Sequence, residues 1–202
     1  MPGGGSAAVP GTTPSAKGKP MITDTTDVPR VWIGCLNCYN NGRLVGAWFD
    51  CTDAGEVDID MLHRGTGRQQ ASCEEIWCFD AENLPVNKEM PPTEAAAWGE
   101  VYDELDDPTQ WPALRAWVST GCHVETGDTG LPSVGDFHDR YRGSWADFGA
   151  FAADWADEIG LTQGWPEEAV RYFDWDSWTR DLAMDFTTAD APDGGIYVFA
   201  NN

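Results

Sequence analysis

Acidic side chains recur at helical spacing in the second half of the sequence, and their chemistry is that of a fixed anionic surface. In residues 144–160, SWADFGAFAADWADEIG, the charged residues are Asp147, Asp154, Asp157 and Glu158, with no lysine or arginine among them. At 100° per residue these acids lie opposite an apolar stripe. An oppositely charged i,i+4 pair adds roughly 0.2–0.5 kcal/mol and a like-charged pair subtracts a similar amount. The helix therefore gives up stability, which favours a role in binding a cationic partner.

The charge of the whole chain is distributed just as unevenly. Of the 202 residues, 34 are acids and 12 are Lys or Arg, for a formal charge of -22. Residues 1–73 contain seven acids and six bases, whereas residues 74–202 contain 27 acids and six bases, and no lysine follows Lys88. A salt-adapted protein would spread its acidity along the chain, so the asymmetry favours a dedicated acidic surface over that alternative.

Acids at helical spacing can approach the charge density of a nucleic-acid backbone. Residues i and i+4 lie about 6 Å apart along a helix axis, and B-form DNA carries one negative charge per about 1.7 Å over both strands. A few such helices side by side therefore predict a surface for a DNA-binding protein rather than for nucleic acid itself. The candidate phosphate surrogates are Glu100, Asp103, Glu104, Asp136, Asp139, Asp147, Asp154, Asp157, Glu158, Glu167, Glu168, Asp174, Asp181 and Asp185.

The sequence motifs give little support to the hypothesis that the protein is an enzyme. The sequence contains no GxxxxGK[ST], strand-borne GxGxxG, HExxH or GxSxG motif. Asp174 and Asp176 could act as the carboxylate pair of a hydrolase in a tryptophan-lined cleft, but such residues more often cap the first turn of a helix. His63, His123 and His138 have no neighbouring constellation for nucleophilic or metal chemistry. No cofactor is expected. An acidic chaperone for another basic protein is the remaining alternative.

Six cysteines, in a chain without an export signal, indicate reduced thiols. Cys35-x-x-Cys38 could join Cys73 and Cys78 in a zinc site. The second pair, however, has four residues between its cysteines and aromatic neighbours, which favours buried free thiols over a bound metal.

The hydrophobic pattern predicts a mixed α+β chain. Residues 31–36 and 44–50 are expected to form two strands, or a strand and a short helix, joined by an Asn-Gly turn. A third strand is expected at 74–80, a short helix at roughly 54–64 and a final strand at 194–200. The period then predicts a helix capped by Thr93, a second with Gly121 as its C′ residue, and a last helix in 172–185 that buries Trp175, Trp178 and Leu182. Capping boxes begin helices at about 134–142 and 145–159, with Ser133 and Ser144 as the caps. No stretch approaches the ~18 apolar residues of a membrane span.

Several segments resemble the ArdA antirestriction family. They are YNNGRLVGAWFD (39–50), EEIWCFD (74–80), YFDWDSWTRDL (172–182) and GGIYVF (194–199), in that order. The resemblance covers about residues 30–200 and departs in the leader, the six cysteines and the segment CFDAEN. It implies a non-enzymatic mimic of B-form DNA, from a phage or mobile element, that occupies the DNA-binding groove of type I restriction-modification enzymes, on their methyltransferase core.

The resemblance also implies an elongated, three-domain α+β homodimer in the bacterial cytoplasm, without a membrane. With the element pattern it predicts a flexible leader (1–28), an N-terminal small antiparallel sheet with a short helix (29–88), a central helical bundle (89–131) and C-terminal helices with a short sheet (132–202) that form the dimer contact. Met21 is a second candidate for the residue at which translation starts. The family's antirestriction motif corresponds to about 161–176. The dimer or scaffold residues are Trp145, Trp155, Tyr172, Phe173, Trp175 and Trp178.

Overall fold

The structure, a computed structural model, describes residues 27–67, 69 and 71–201, and it is a mixed α+β fold as predicted. Most of the predicted leader, residues 1–26, lies outside the described residues. The strands are β1 (Arg30–Cys35), β2 (Gly46–Asp50), β3 (Ile76–Glu82), β4 (Tyr141–Trp145), β5 (Phe186–Asp190) and β6 (Ile196–Ala200). The α-helices are α1 (Leu36–Asn40), α2 (Ile59–His63), α3 (Pro92–Glu104), α4 (Trp111–Ser119), α5 (Val134–Arg140), α6 (Phe148–Glu158), α7 (Glu167–Arg171) and α8 (Trp175–Leu182). Among the described residues, no helix has the length and apolarity to cross a bilayer.

The first three strands form one antiparallel sheet in the order β2-β1-β3. This confirms the strands expected at 31–36, 44–50 and 74–80. Arg30 on β1 lies opposite Asp50 on β2, and its Nε donates to the Asp50 carboxylate at 3.1 Å. The connection between β1 and β2 contains both the short helix α1 and the Asn-Gly turn, in which Gly42 adopts a φ of 71°.

A 3-10 helix, Cys51–Glu56, follows β2 and packs closely on α3. Gly99 makes this approach possible, because a Cβ on it would lie 2.5 Å from the backbone of Cys51. The prediction that Thr93 caps α3 is wrong: Pro91 is the N-cap and Pro92 the first helical residue. Proline suits this first position because the missing N–H would have no partner in the helix.

The last three strands form a second antiparallel sheet in the order β4-β6-β5. Ser133 caps α5 as predicted, since its Oγ accepts from the Asp136 amide at 3.2 Å. The prediction that Ser144 caps the next helix is wrong, because Ser144 pairs with Tyr197 inside the sheet. Asp147 is the cap of α6 instead, and its carboxylate accepts from the Ala150 amide at 2.8 Å.

One cluster of buried residues joins the N-terminal sheet, the central helices and the C-terminal sheet. Trp117 of α4 lies at its centre, with ring centroids 5.8 Å from Phe137 and 6.2 Å from Phe199. The division into three domains stays a prediction. A separate small cluster consists of Cys35, Cys38, Val45 and Cys73, with Ile59 packed against it.

Candidate functional site

The acidic surface is the candidate site, and the structure exposes nearly all the residues predicted for it. Thirteen of the fourteen candidate acids are exposed, and Asp136 is half-buried. Because exposed carboxylates keep their hydration, the fold can carry them ionised at little desolvation cost. We call these fourteen residues the acidic surface.

Helices carry most of these acids, and α3 and α6 position theirs by burying the opposite face. On α3, Trp98 and Val101 are buried, and the exposed acids are Glu100, Asp103 and Glu104. On α6, Phe151, Ala152 and Ala156 are buried, and the exposed acids are Asp154, Asp157 and Glu158. Glu167 and Glu168 lie in the first turn of α7, Asp181 lies on α8, and Asp185 on the 3-10 helix that follows. Each helix thus holds its acids on a fixed backbone.

Few cations neutralise this surface. Across the described ranges, three ion pairs are found, and Glu167 is the one member of the acidic surface among them, 3.7 Å from Arg171. Three other arginines of residues 74–202 donate to uncharged oxygens: Arg115 to the Asn83 side chain, Arg140 to the Ala200 carbonyl and Arg142 to the Asp139 carbonyl. Burial also lowers the pKa of Arg115. The surface therefore keeps most of its negative charge.

Two of the acids also have structural roles as helix caps. Asp147 caps α6, and Asp174 caps α8 by accepting from the Ser177 amide at 2.9 Å and its hydroxyl at 2.7 Å. These hydrogen bonds, with the charge of Arg180, lower the pKa of Asp174. Asp176 lies in the first turn of α8. The expectation that Asp174 and Asp176 cap or line this turn is confirmed.

Further exposed acids lie outside the helices, where a search by helical spacing missed them. They are Asp106, Glu125, Asp128, Asp190 and Asp193. These acids follow no helical period, and the sequence indicates them only through its composition, since acids outnumber bases in residues 74–202.

An aromatic cluster lies on the buried side of α6. Phe151 is buried, and its ring contacts those of Trp145, Trp155 and Phe186 at centroid distances of 5.6, 5.9 and 4.8 Å. Trp145 and Trp155 are half-buried. The assignment of the two tryptophans as dimer or scaffold residues stays a prediction.

A second aromatic group lies at the surface beside α7 and α8. Phe173 contacts Trp175 at 4.8 Å and Trp178 at 6.5 Å between ring centroids. Tyr172 is 77% exposed and Trp175 38% exposed. The prediction that Trp175, Trp178 and Leu182 are buried is therefore wrong, because α8 buries no side chain fully within this chain. Ile159, at the end of α6, is also exposed, at 53%.

A depression of about 390 Å³ lies at the end of α6, lined by residues 156–163 apart from Leu161. Its lining includes Asp157 and Glu158 but no tryptophan. It does not match the tryptophan-lined cleft that the hydrolase alternative requires, and the Asp174 carboxylate of the proposed catalytic pair is already engaged as a cap.

The cysteines form a grouping that the sequence interpretation missed. Cys35, Cys38, His63 and Cys73 are all buried, and their candidate ligand atoms lie within 4.8 Å of one another. The statement that His63 has no metal-binding neighbours is therefore wrong. Cys78 lies elsewhere, in the main core, where burial raises its pKa to about 12. Burial, followed by the neighbouring thiols, raises the pKa of Cys38 to about 11.

Comparison with known proteins gives one family. A family model described as antirestriction protein (ArdA) matches residues 31–197, which is most of the chain. No curated protein matches the sequence. The matched range contains the first sheet apart from Arg30, the second sheet as far as Tyr197 of β6, and every member of the acidic surface.

Proposed function

This chain belongs to the ArdA family of antirestriction proteins, and from that premise we propose that it acts as a mimic of B-form DNA. Its target is the DNA-binding groove of a type I restriction-modification enzyme, on the methyltransferase core. By occupying that groove it protects incoming phage or plasmid DNA. The activity is stoichiometric inhibition rather than catalysis, and it takes place in the bacterial cytoplasm, where restriction enzymes meet entering DNA.

The observation that carries this proposal is the exposure of the acids without compensating cations. Thirteen of fourteen candidate acids are exposed, and Arg115 and Arg140 donate to uncharged oxygens of the fold instead. Since two like charges 4 Å apart repel by about 1 kcal/mol in water and by more near protein, this arrangement lowers stability. A basic groove would remove the repulsion on binding.

The same electrostatics predict how the complex should behave in solution. Attraction between oppositely charged surfaces speeds association and weakens as salt screens it, over a Debye length of about 8 Å at physiological ionic strength. Because the charge is spread over α3, α6, α7 and α8, each acid contributes a small share. Single substitutions should therefore reduce inhibition only slightly, whereas grouped substitutions should reduce it strongly.

The exposed aromatic group beside α7 and α8 supports the proposal of a homodimer. Tyr172 and Trp175 expose large apolar side chains, and the Trp175 ring contacts that of the half-buried Phe173. Burial of apolar area against a second copy would stabilise such a group. The dimer contact is placed at the C-terminal end of the chain, and it would extend the acidic surface across two copies.

The test is cleavage of unmodified plasmid by a purified type I restriction enzyme while this protein is titrated in. The proposal predicts that inhibition saturates near one mimic per binding groove and is reversed by excess unrelated duplex DNA. Inhibition that excess duplex fails to reverse would refute competition for the groove. Binding to many basic proteins, without preference for the restriction enzyme, would support the acidic-chaperone alternative.

A further inference from the structure

Four side chains from separate segments meet at one end of the N-terminal sheet. Cys35 ends β1 and caps α1, Cys38 lies on α1, His63 ends α2, and Cys73 precedes β3. All four are buried, with exposures of 0, 0, 4 and 5% in that order. Their candidate ligand atoms lie within 4.8 Å of one another.

The distances between these atoms match the edges of a small tetrahedron. The Cys38 sulfur lies 3.9 Å from the Cys73 sulfur and 4.0 Å from His63 Nε2. With zinc–sulfur bonds of about 2.3 Å and zinc–nitrogen bonds of about 2.0–2.1 Å, a tetrahedral site requires sulfur–sulfur edges of about 3.8 Å and sulfur–nitrogen edges of about 3.6 Å. Small side-chain movements would bring a metal within bonding distance of all four.

The polar atoms around the cluster are arranged as they are around metal-bound thiolates. The Cys38 amide donates to the Cys35 sulfur at 3.5 Å, and Asn37 Nδ2 donates to the Cys73 sulfur at 3.7 Å. Donors of this kind stabilise negative sulfur and orient the ligands. Two of the three sulfurs thus accept a hydrogen bond from a nitrogen.

His63 provides an independent observation. Its ring is buried, its Nε2 faces the Cys38 sulfur at 4.0 Å, and its Nδ1 has no hydrogen-bond partner among the residues that the structure describes. A buried polar ring without strong hydrogen bonds is costly, since it loses its contacts with water. A metal bond to Nε2 would replace its weak 4.0 Å contact with sulfur by a strong interaction, and Nδ1 would carry the ring proton.

The surrounding core is too small to explain the burial of these groups by itself. It consists of Val45 and Ile59 beside the three cysteines. We propose that Cys35, Cys38, His63 and Cys73 bind one structural zinc ion. Each thiol releases its proton on binding, so that three thiolates, one neutral imidazole and Zn²⁺ form a closed site of net charge -1. With four protein ligands, no position is open for catalysis. The ion ties α1, α2 and the segment before β3 to the end of β1.

This inference does not depend on the proposed antirestriction function, and its test is the metal content of the full chain. Protein expressed in zinc-supplemented medium and purified without chelators is analysed by mass spectrometry of its metals. The metal-free, reduced protein is then titrated with Co²⁺, because tetrahedral thiolate-bound cobalt has a characteristic visible absorption. We expect one zinc per chain and one equivalent of cobalt bound with that spectrum.

Variants identify the ligands. Cys38→Ser should lose the zinc, whereas His63→Cys should retain it, since thiolate replaces imidazole in many zinc sites. Cys78→Ser is the matched control, because Cys78 is a buried thiol outside the cluster, and it should retain one zinc. Wild-type protein that contains no zinc and binds no cobalt would overturn the proposal, whatever the variants do. So would loss of zinc from Cys78→Ser with retention in Cys38→Ser, or a Cys38–Cys73 disulfide in freshly isolated protein.

Discussion

Replacing Asp154 by Asn and Glu158 by Gln should make the protein more stable and a weaker inhibitor. The two acids are four residues apart on α6, about 6 Å along its axis, and both are exposed. Neither belongs to an ion pair in the part of the chain that the structure describes. Since a like-charged i,i+4 pair costs roughly 0.2–0.5 kcal/mol, we expect the free energy of unfolding to rise by about that amount.

Binding should change in the opposite direction. An exposed ion pair contributes about 0.2–1 kcal/mol, so loss of two such contacts should cost about 0.4–2 kcal/mol, or roughly 2- to 30-fold in Kd. The measurements are urea unfolding of the variant and its Kd for the methyltransferase core. Most of the loss should appear in the association rate.

The matched control is Asp53→Asn with Glu56→Gln, two exposed acids on the 3-10 helix that follows β2. It removes the same number of acids from outside the acidic surface, so the account predicts a Kd within about twofold of the wild-type value. If the α6 variant lost stability together with affinity, its acids would be structural. If both variants lost affinity equally, net charge rather than the helix face would account for binding, and the reasoning would be refuted.

Three further changes test the fold and the dimer. Gly99→Ala should lower the free energy of unfolding by about 1–3 kcal/mol, measured in urea, because its Cβ would lie 2.5 Å from the Cys51 backbone; unchanged stability would contradict this close packing. The pKa of Asp174 is lowered by hydrogen bonds from Ser177, so its stabilising effect is complete above the unfolded pKa of about 3.9 and is lost as the pH falls through the folded pKa. Asp174→Asn should therefore show a smaller fall in Tm at acidic pH than the wild type. An unchanged dependence of Tm on pH would contradict a stabilising role for the Asp174 carboxylate. Tyr172→Glu should dissociate the proposed dimer without unfolding the chain, since this side chain is 77% exposed. Light scattering after gel filtration measures this, and a variant that stays dimeric would contradict a contact at Tyr172.

The sequence predicted those features that depend on local spacing. The helical period placed the acids of α6 opposite a buried face, and alternation placed three strands in the N-terminal half. Ser133 precedes an acid by three residues, and this capping-box spacing correctly predicts it as the cap of α5. Ser144 has the same local pattern, yet it pairs within β4, because the second sheet provides partners for its backbone that the local sequence does not reveal.

The features that the sequence could not predict depend on contacts between distant segments. His63 meets Cys38 only because α2 packs beside β1, and a histidine 25 residues away carries no spacing signal. Cys73 and Cys78 are close in sequence but belong to separate buried clusters. The large apolar side chain of Trp175 predicts a core residue, but α8 leaves it 38% exposed in a single chain.

Displacement of DNA tests the central claim most directly. A labelled duplex is bound to the methyltransferase core, and this protein is added at two salt concentrations. The account predicts complete displacement, with a competition constant that weakens at the higher salt, and no binding of the protein to the duplex itself. Formation of a ternary complex that retains the DNA, or no displacement even at low salt, would contradict the proposal that this acidic surface takes the place of DNA.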